Sequence, residues 1–398
     1  MYPDGWRHPH AAKVTEPAPA RGPLHGFTVI ELGGIGPAPM TGMMLADMGA
    51  DVLHIDRPGG LAIPPRAADI SFRGKRSLTI NLKSARGVAT LLRMVENADV
   101  MIEPYRPGVC ERLGIGPEVC LARNPRLIFA RMTGWGQTGP LAGTAGHDIN
   151  YIALSGALHA IGRTGERPVP PLNLVGDMGG GAMLLLAGIL AALLETSQSG
   201  RGQVVDAAMV DGATQLMWMF YSLVASGHWN AAEREANLLD GAAPFYDTYC
   251  CSDGGYVAVG PIEPAFFAAL VRGLGLSDDL LPQQHDAAHW ALLKPALAAA
   301  FATRTRDAWC AVFDGSDACV TPVLSMAEAP QHPSNRARDV FVTVDGVTQP
   351  APAPRFARTP SVIRHGPRPA GADTQTVLLD MGFSREECAS LKADGILF

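Results

Sequence analysis

Residues 27–56 constrain the fold of this chain more than any other stretch. Residues 27–32 (FTVIEL) form a short apolar run, and a Gly/Pro turn follows at 33–39. A helical pattern at 40–48 is stopped by Gly49, and a second apolar run, DVLHID, covers 51–56. Strand, turn, helix and strand in that order predict a β-turn-α-β unit. Its two strands lie parallel, so helices must cover the sheet.

The pattern continues. Helices are predicted at 85–97 and 109–113, with strands at 99–103 and 127–132. A Gly/Thr/Pro-rich break at 133–146 reads as a loop over the sheet edge. Beyond it come a helix at 149–158, a long helix at 179–196 after a triple glycine, a strand at 203–207 and a helix at 209–226. After Gly227 the texture changes: strands at 247–251 and 256–260 flank Ser-Asp-Gly-Gly as a hairpin. Helices follow at 264–274, 289–302 and 305–313. The expected class is α/β: a large domain with a parallel, doubly wound sheet at 23–230 and a smaller α+β domain at 235–330. Residues 331–398 return to the large domain. Within them a Pro- and Arg-rich stretch, 345–372, wraps the surface, and helices at 374–381 and 384–394 close the chain. Residues 1–22 carry no apolar h-region, so they read as a flexible extension and not as a signal peptide.

Charge narrows the function. With 38 acidic and 32 basic residues the net charge is −6, which argues against a general nucleic-acid binder. Any bound anion needs a local cationic cluster. The seven cysteines are odd in number and form no CxxC pair, which points to reduced thiols in the cytoplasm. No HExxH-like pair occurs among the histidines, so no metal is expected. The apolar run 182–194 is too short to span a bilayer, and no membrane partner is expected.

Two groups of residues carry chemistry. The turn Gly34-Ile35-Gly36-Pro-Ala-Pro39 follows a strand and precedes a helix, as a dinucleotide fingerprint does. It lacks the third glycine, and prolines stand where N–H groups would face a pyrophosphate. Asp56 ends the next strand, and Arg57 after it suits a phosphate on a ribose, such as the 3′-phosphate of coenzyme A. Arg73, Lys75, Arg76, Lys83, Arg106 and Arg112 add cations, read either as phosphate ligands or as solvated surface charge. The second group puts ionisable residues at helix starts: His147 and Asp148 in GHDINY, Asp177 in GDMGGG, and Glu263 before Pro264. Each carboxylate also suits an N-cap, and the two roles are compatible.

The chain resembles the family III CoA-transferases and, within them, the α-methylacyl-CoA racemases. The resemblance runs from about residue 23 to 395. It rests on VIELGGIG (29–36), DMGADVLHIDR (47–57), SLTINLKS (77–84), ADVMIEPYRPGVCERLGIG (98–116), RMTGWGQTGP (131–140), GHDINY (146–151), PPLNLVGDMGGG (170–181), GQVVDAAMVD (202–211) and YVAVGPIEPAFF (256–267). It implies a Rossmann-like large domain and an interlocked homodimer in which Glu263 completes a site formed by the other chain. It also implies an acyl-CoA substrate, with no cofactor beyond its CoA moiety. Asp177 matches an aspartate that is a nucleophile in the transferases and an acid or base in the racemases. His147 follows the racemase pattern, and 239–246 (LDGAAPFY) replaces the transferases' glycine-rich loop. The implied activity is inversion of the α-carbon of 2-methylacyl-CoA thioesters. His147 and Asp177 stand on opposite faces of an enolate, Glu263 orients His147, and the Asp148 backbone N–H receives the enolate oxygen. Ile35, Arg57, Arg73, Lys83, Arg106 and Arg112 are the implied CoA contacts. The alternative is a CoA-transferase with Asp177 as nucleophile. Asn173 is expected to position Asp177. Met178, Met183 and 217–220 are expected in the acyl wall or the core.

Overall fold

The computed structural model describes residues 21–59 and 64–398, so nearly all of the expected extension 1–22 lies outside the described residues. Six parallel strands form the main sheet: β1 (Thr28–Leu32), β2 (Asp51–Asp56), β3 (Arg76–Thr79), β4 (Val100–Glu103), β5 (Ile128–Thr133) and β6 (Val204–Ala208). Their order is β3-β2-β1-β4-β5-β6. That is the doubly wound order of dinucleotide-binding sheets, with the reversal beside β1.

The strands read as apolar runs because both faces of the sheet are covered. Ile30, Leu53 and Phe129 pack under Leu91, Val95, Ile115 and the C-terminal Val377 and Leu391. Their neighbours Val29, Val52 and Ile128 face the other way, under Leu45, Leu185, Ile189 and Leu193. That is the two-residue alternation of a pleated strand.

Several elements depart from the sequence reading, three of them in ways the packing explains. Strand β3 was not expected, because RSLT is short and mostly polar. Its exposed edge is closed by the chain's end: Asp373 accepts from the Ser77 N–H at 2.9 Å, and Thr374 accepts from the Thr79 N–H at 3.2 Å. Polar side chains suit an edge strand whose ladder groups are met by a returning segment. The expected surface-wrapping stretch begins instead as a hairpin, β10 (Phe341–Val344) with β11 (Val347–Pro350). The expected helix at 179–196 starts earlier, as a π-helix at Leu174–Ala182 that continues into the α-helix Met183–Ser199. This run of 26 residues, whose most apolar 18-residue window has a mean hydropathy of 1.8, is long and apolar enough to cross a bilayer. Here its residues Leu185, Leu186, Ile189 and Leu193 are part of the sheet's core.

A second, antiparallel sheet, β7 (Asp247–Cys250), β8 (Tyr256–Val259) and β9 (Val320–Pro322), has a core of its own. Phe245, Phe267, Phe301, Trp309 and Phe313 fill it beneath the helices Pro264–Leu274, Ala287–Phe301 and Arg306–Phe313.

Three of the cations expected as phosphate ligands hold the fold together instead. Arg73 is 2 % exposed; its Nε and Nη2 donate to Asp47 at 3.1 and 2.6 Å, and its Nη1 donates to Gln349 and the Pro350 carbonyl. Burial places it between the first helix and β11, with four of its donor contacts filled by the chain. Lys75 is buried on Glu31, and Arg76 pairs with Asp51 and Asp380. Arg73→Ala should therefore lower the unfolding free energy by about 3–5 kcal/mol, the usual cost of stripping one partner from a buried pair. Urea unfolding measures it. A stable Arg73→Ala protein with weakened ligand binding would return Arg73 to the ligand.

Candidate active site

The crevice at the sheet's order reversal is lined by residues that follow the strands. Gly33, Gly34 and Ile35 come after β1, Asp56 ends β2 with Arg57 and Pro58 after it, and Pro104 and Tyr105 come after β4. The cleft measures about 690 Å³, and Ile35 stands 81 % exposed at its mouth. Arg57 lines it and is exposed. Arg66, which the sequence did not single out, also lines it, with its guanidinium 3.7 Å over the Phe72 ring. Lys83, Arg106 and Arg112 are exposed and have no salt bridge among the described residues.

Beside this cleft the turn meets the π-helix. A Cβ on Gly36 would lie 3.5 Å from Oδ2 of Asp177. The π-helix carries Asp177 near its start, and wide i→i+5 turns of this kind concentrate at functional positions. Its glycines have a packing reason. The Gly180 backbone presses on the helix Met209–Leu216, where a Cβ on Gly212 would lie 1.9 Å from the Gly180 carbonyl oxygen. Any side chain at either position would push the Asp177 turn away from that helix.

His147, Asp148 and Asp177 come together. His147 is the exposed N-cap residue of the helix Asp148–Leu154, and its N–H donates to Oδ1 of Asn150 at 3.1 Å. Asp148 is the first residue inside that helix rather than its cap, and it is buried. Its Oδ1 accepts from the Asp177 N–H at 2.7 Å, while its buried Oδ2 has no partner among the described residues. Its own backbone N–H, at the helix start, is also without an acceptor there. Asn173 donates its Nδ2 to Oδ2 of Asp177 at 3.1 Å, fixing the carboxyl that it was expected to position. Tyr151 and Trp135 meet edge to face at 4.8 Å behind this group. Tyr151 lies in GHDINY, but a tyrosine on a helix gives no sequence sign of such a role.

Electrostatics favour a proton on Asp177. Half burial pushes its pKa above the usual aspartate range. The Asp148 charge pushes the same way, while Asn173 and His147 pull it back. His147 is thus close enough for its charge to act on Asp177. Glu263 is elsewhere. It stands exposed at the N-cap of the helix Pro264–Leu274, makes no side-chain cap bond, and its charge falls on Cys319 of the small-sheet region. Within one chain the structure does not bring it to His147.

The family model of CoA-transferase family III matches residues 24–374. The chain is 48 % identical over 377 residues to the mouse (Mus musculus) alpha-methylacyl-CoA racemase, covering 94 % of this chain and 97 % of that one. It is 45 % identical to the human (Homo sapiens) alpha-methylacyl-CoA racemase over 376 residues, with the same coverage. A crystal structure of a CAIB/BAIF family protein from Brucella suis superposes with a TM-score of 0.79 at 25 % identity, covering 91 % of this chain and all of that one.

Asp148→Asn keeps an oxygen for the Asp177 N–H but removes the charge. A ¹³C NMR titration of the Asp177 carboxyl should show a midpoint above that of ordinary aspartate in the parent chain and a lower one in Asp148→Asn. An unchanged midpoint would mean that burial alone sets it.

Proposed function

This chain belongs to CoA-transferase family III, and on that premise we propose that it is a racemase. It inverts the α-carbon of 2-methylacyl-CoA thioesters by moving a proton off one face and onto the other. The observation that carries the reading is the pairing of His147 with a carboxyl, Asp177, whose proton affinity is raised.

The step needs one base and one acid. A thioester α-proton leaves to the unprotonated partner, and its electron pair passes into the C–C bond as the carbonyl oxygen becomes an enolate. The other partner, protonated, then delivers to the opposite face. His147 and Asp177 take these roles on the two faces and exchange them with the enantiomer. The enolate oxygen needs a fixed donor, and the free backbone N–H of Asp148 supports that role. Arg57, Lys83, Arg106 and Arg112 are the exposed cations available to the phosphates of the CoA moiety. No redox cofactor or metal enters the chemistry, and the reduced thiols fit a cytoplasmic setting.

The assembly is part of the proposal. Glu263, exposed and making no hydrogen bond or salt bridge to His147 within its own chain, is read as completing the site of a second copy and orienting that copy's imidazole. The homodimer is interlocked, so its partners must fold together. The transferase reading stays in view because Asp177 is half exposed and open to acylation. It requires a free carboxylic acid as co-substrate, which racemisation does not.

In D₂O with a single enantiomer of a 2-methylacyl-CoA and no added acid, the protein should incorporate α-deuterium and lose configuration. Silence in that assay, with CoA transfer on adding a carboxylic acid, would establish the transferase instead. His147→Ala and Asp177→Ala should each reduce racemisation by about 10²–10⁴-fold, the usual contribution of one acid–base group. A further test concerns the dimer. Asp177→Ala and Glu263→Ala chains, each nearly inactive alone, should regain activity when co-expressed, because the mixed dimer then holds one intact site. No regain would place Glu263 in the same site as its own chain's Asp177, or in none.

A further inference from the structure

Beneath the cleft runs a buried chain of charges whose far end, His54 with Asp56, neither the fold nor the proton transfer explains. Lys75 is 1 % exposed, and its Nζ donates to both oxygens of Glu31, at 2.8 and 2.6 Å, and to the Pro39 carbonyl at 2.9 Å. Glu31, wholly buried on β1, also meets Nδ1 of His54 at 2.7 Å. His54, 1 % exposed on β2, meets Oδ1 of Asp56 through Nε2 at 3.1 Å. Oδ2 of Asp56 accepts from Nη1 of Arg66 at 2.5 Å. Arg66 is itself held by Ser77 and the Arg368 carbonyl, at 2.9 and 3.0 Å.

Geometry sets the protonation of His54. A neutral imidazole has one N–H, whereas both of its nitrogens here face carboxylate oxygens, which accept only. Glu31 takes two bonds from an ammonium and Asp56 takes one from a guanidinium, so both carboxylates are in the state that calls for donors. Burial opposes charge on His54, but its bonds to Asp56 and Glu31 outweigh it and hold its pKa above the ordinary histidine value. Asp56 and Glu31 are held below the usual carboxylate range by the same contacts, against burial. The charged groups around His54 are therefore Glu31 on β1, Asp56 on its own strand, and Lys75 and Arg66 from the segments before and flanking β3. Asp69 and Arg57 lie further out along the cleft.

Asp56 occupies the end of β2. In a dinucleotide-binding sheet the acid there accepts from a ribose hydroxyl, and its charge repels a ribose phosphate. Here both of its oxygens are taken, one by an imidazole and one by a guanidinium. We propose that His54 is a specificity-determining positioning residue: as a buried imidazolium it joins Arg66 in neutralising Asp56, so that the end of β2 receives the phosphorylated ribose of CoA rather than a bare ribose diol. This rests on the CoA reading of the cleft given above. His54 acts through Asp56 and Arg66 and touches no reacting atom.

The test compares CoA with dephospho-CoA, which lacks only the ribose phosphate, by calorimetry on the full chain. The parent protein should prefer CoA. His54→Gln, which removes the cation at nearly constant size, should lose about tenfold in CoA affinity, the scale of one buried charge acting across several ångströms. Its dephospho-CoA affinity should change less than about threefold. With acyl-CoA substrate the loss should appear in KM, with kcat retained, and adding Asp56→Asn should restore most of the CoA preference. Equal weakening of both ligands by His54→Gln would reduce His54 to a structural role and overturn the inference. Should His54→Gln fail to fold, Asp56→Asn alone decides. A CoA preference at or above the parent's supports the inference, and parallel loss of both ligands shows that Asp56 serves the ribose directly and overturns it. A parent protein that binds CoA without preferring it over dephospho-CoA overturns this inference alone. A parent that binds neither overturns the CoA reading with it.

Discussion

A parallel sheet whose order reverses beside β1 cannot close its own carboxyl edge. The connection after β1 leaves toward one face and the one after β4 toward the other, so a crevice opens between them. The rest of this molecule is arranged around that opening. The turn Gly33–Gly36 forms one lip and Pro104–Tyr105 the other, with the ends of β2 along the floor. The π-helix that carries Asp177 is pressed against the same turn, near Gly36. One consequence of strand order thus puts a nucleotide-sized cleft beside His147 and Asp177. A long, bent substrate with a nucleotide at one end and a reactive thioester at the other suits such a layout.

Burial decides which charges remain available to a ligand. Of the cations expected at the cleft, Arg73 and Lys75, just before β3, are drawn into the core by acids on the helix Pro37–Asp47 and on β1, while Arg76 on β3 pairs with an acid on β2 in a partly exposed position. Arg73 answers Asp47, Lys75 answers Glu31 and Arg76 answers Asp51. An unpaired buried carboxylate would cost several kcal/mol, so these pairings are set by the need to bury the acids with partners. Arg57, Lys83 and Arg106 come after strand ends, and Arg112 lies on the short helix Val109–Leu113, where solvent meets them and no acid claims them among the described residues. Position relative to the strand, not residue type, separates a structural cation from an available one.

The same distinction explains what the sequence revealed. Strands β1, β2, β4 and β5 were legible because two-sided burial writes them as apolar runs, and DVLHID matched β2 residue for residue; the edge strand β6 is buried only at its end, Ala207–Ala208. The helices Val109–Leu113 and Pro264–Leu274 were legible from their Gly and Pro boundaries. Strand β3 was not, because its stabilising partners, Asp373 and Thr374, lie some three hundred residues away in sequence. The π-helix was hidden for another reason. The expected helix began at the glycines 179–181, and the turn before them, 174–178, was hidden because Gly176 and the close approach of Gly180 to Gly212 have no local signature. In the site, His147 and Asp177 stood out as ionisable residues beside glycine. Arg66 and Tyr151 did not, because nothing local marks an arginine that will lie over a phenylalanine or a tyrosine that will back a carboxylate.

The raised proton affinity of Asp177 bears directly on reversibility. Ordinary carboxyls and imidazoles differ by about 2.5 pKa units, so a proton handed from one to the other through a substrate would favour one direction by a few hundredfold. Inversion between mirror-image forms has no such bias, and both directions must pass through the same pair. Burial and the uncompensated Asp148 oxygen both move Asp177 toward the imidazole range, which narrows the gap. Asp148 therefore links two requirements. Its Oδ1 fixes the backbone of Asp177, and its charge raises the proton affinity of the Asp177 carboxyl toward that of the imidazole proposed to face it across the intermediate.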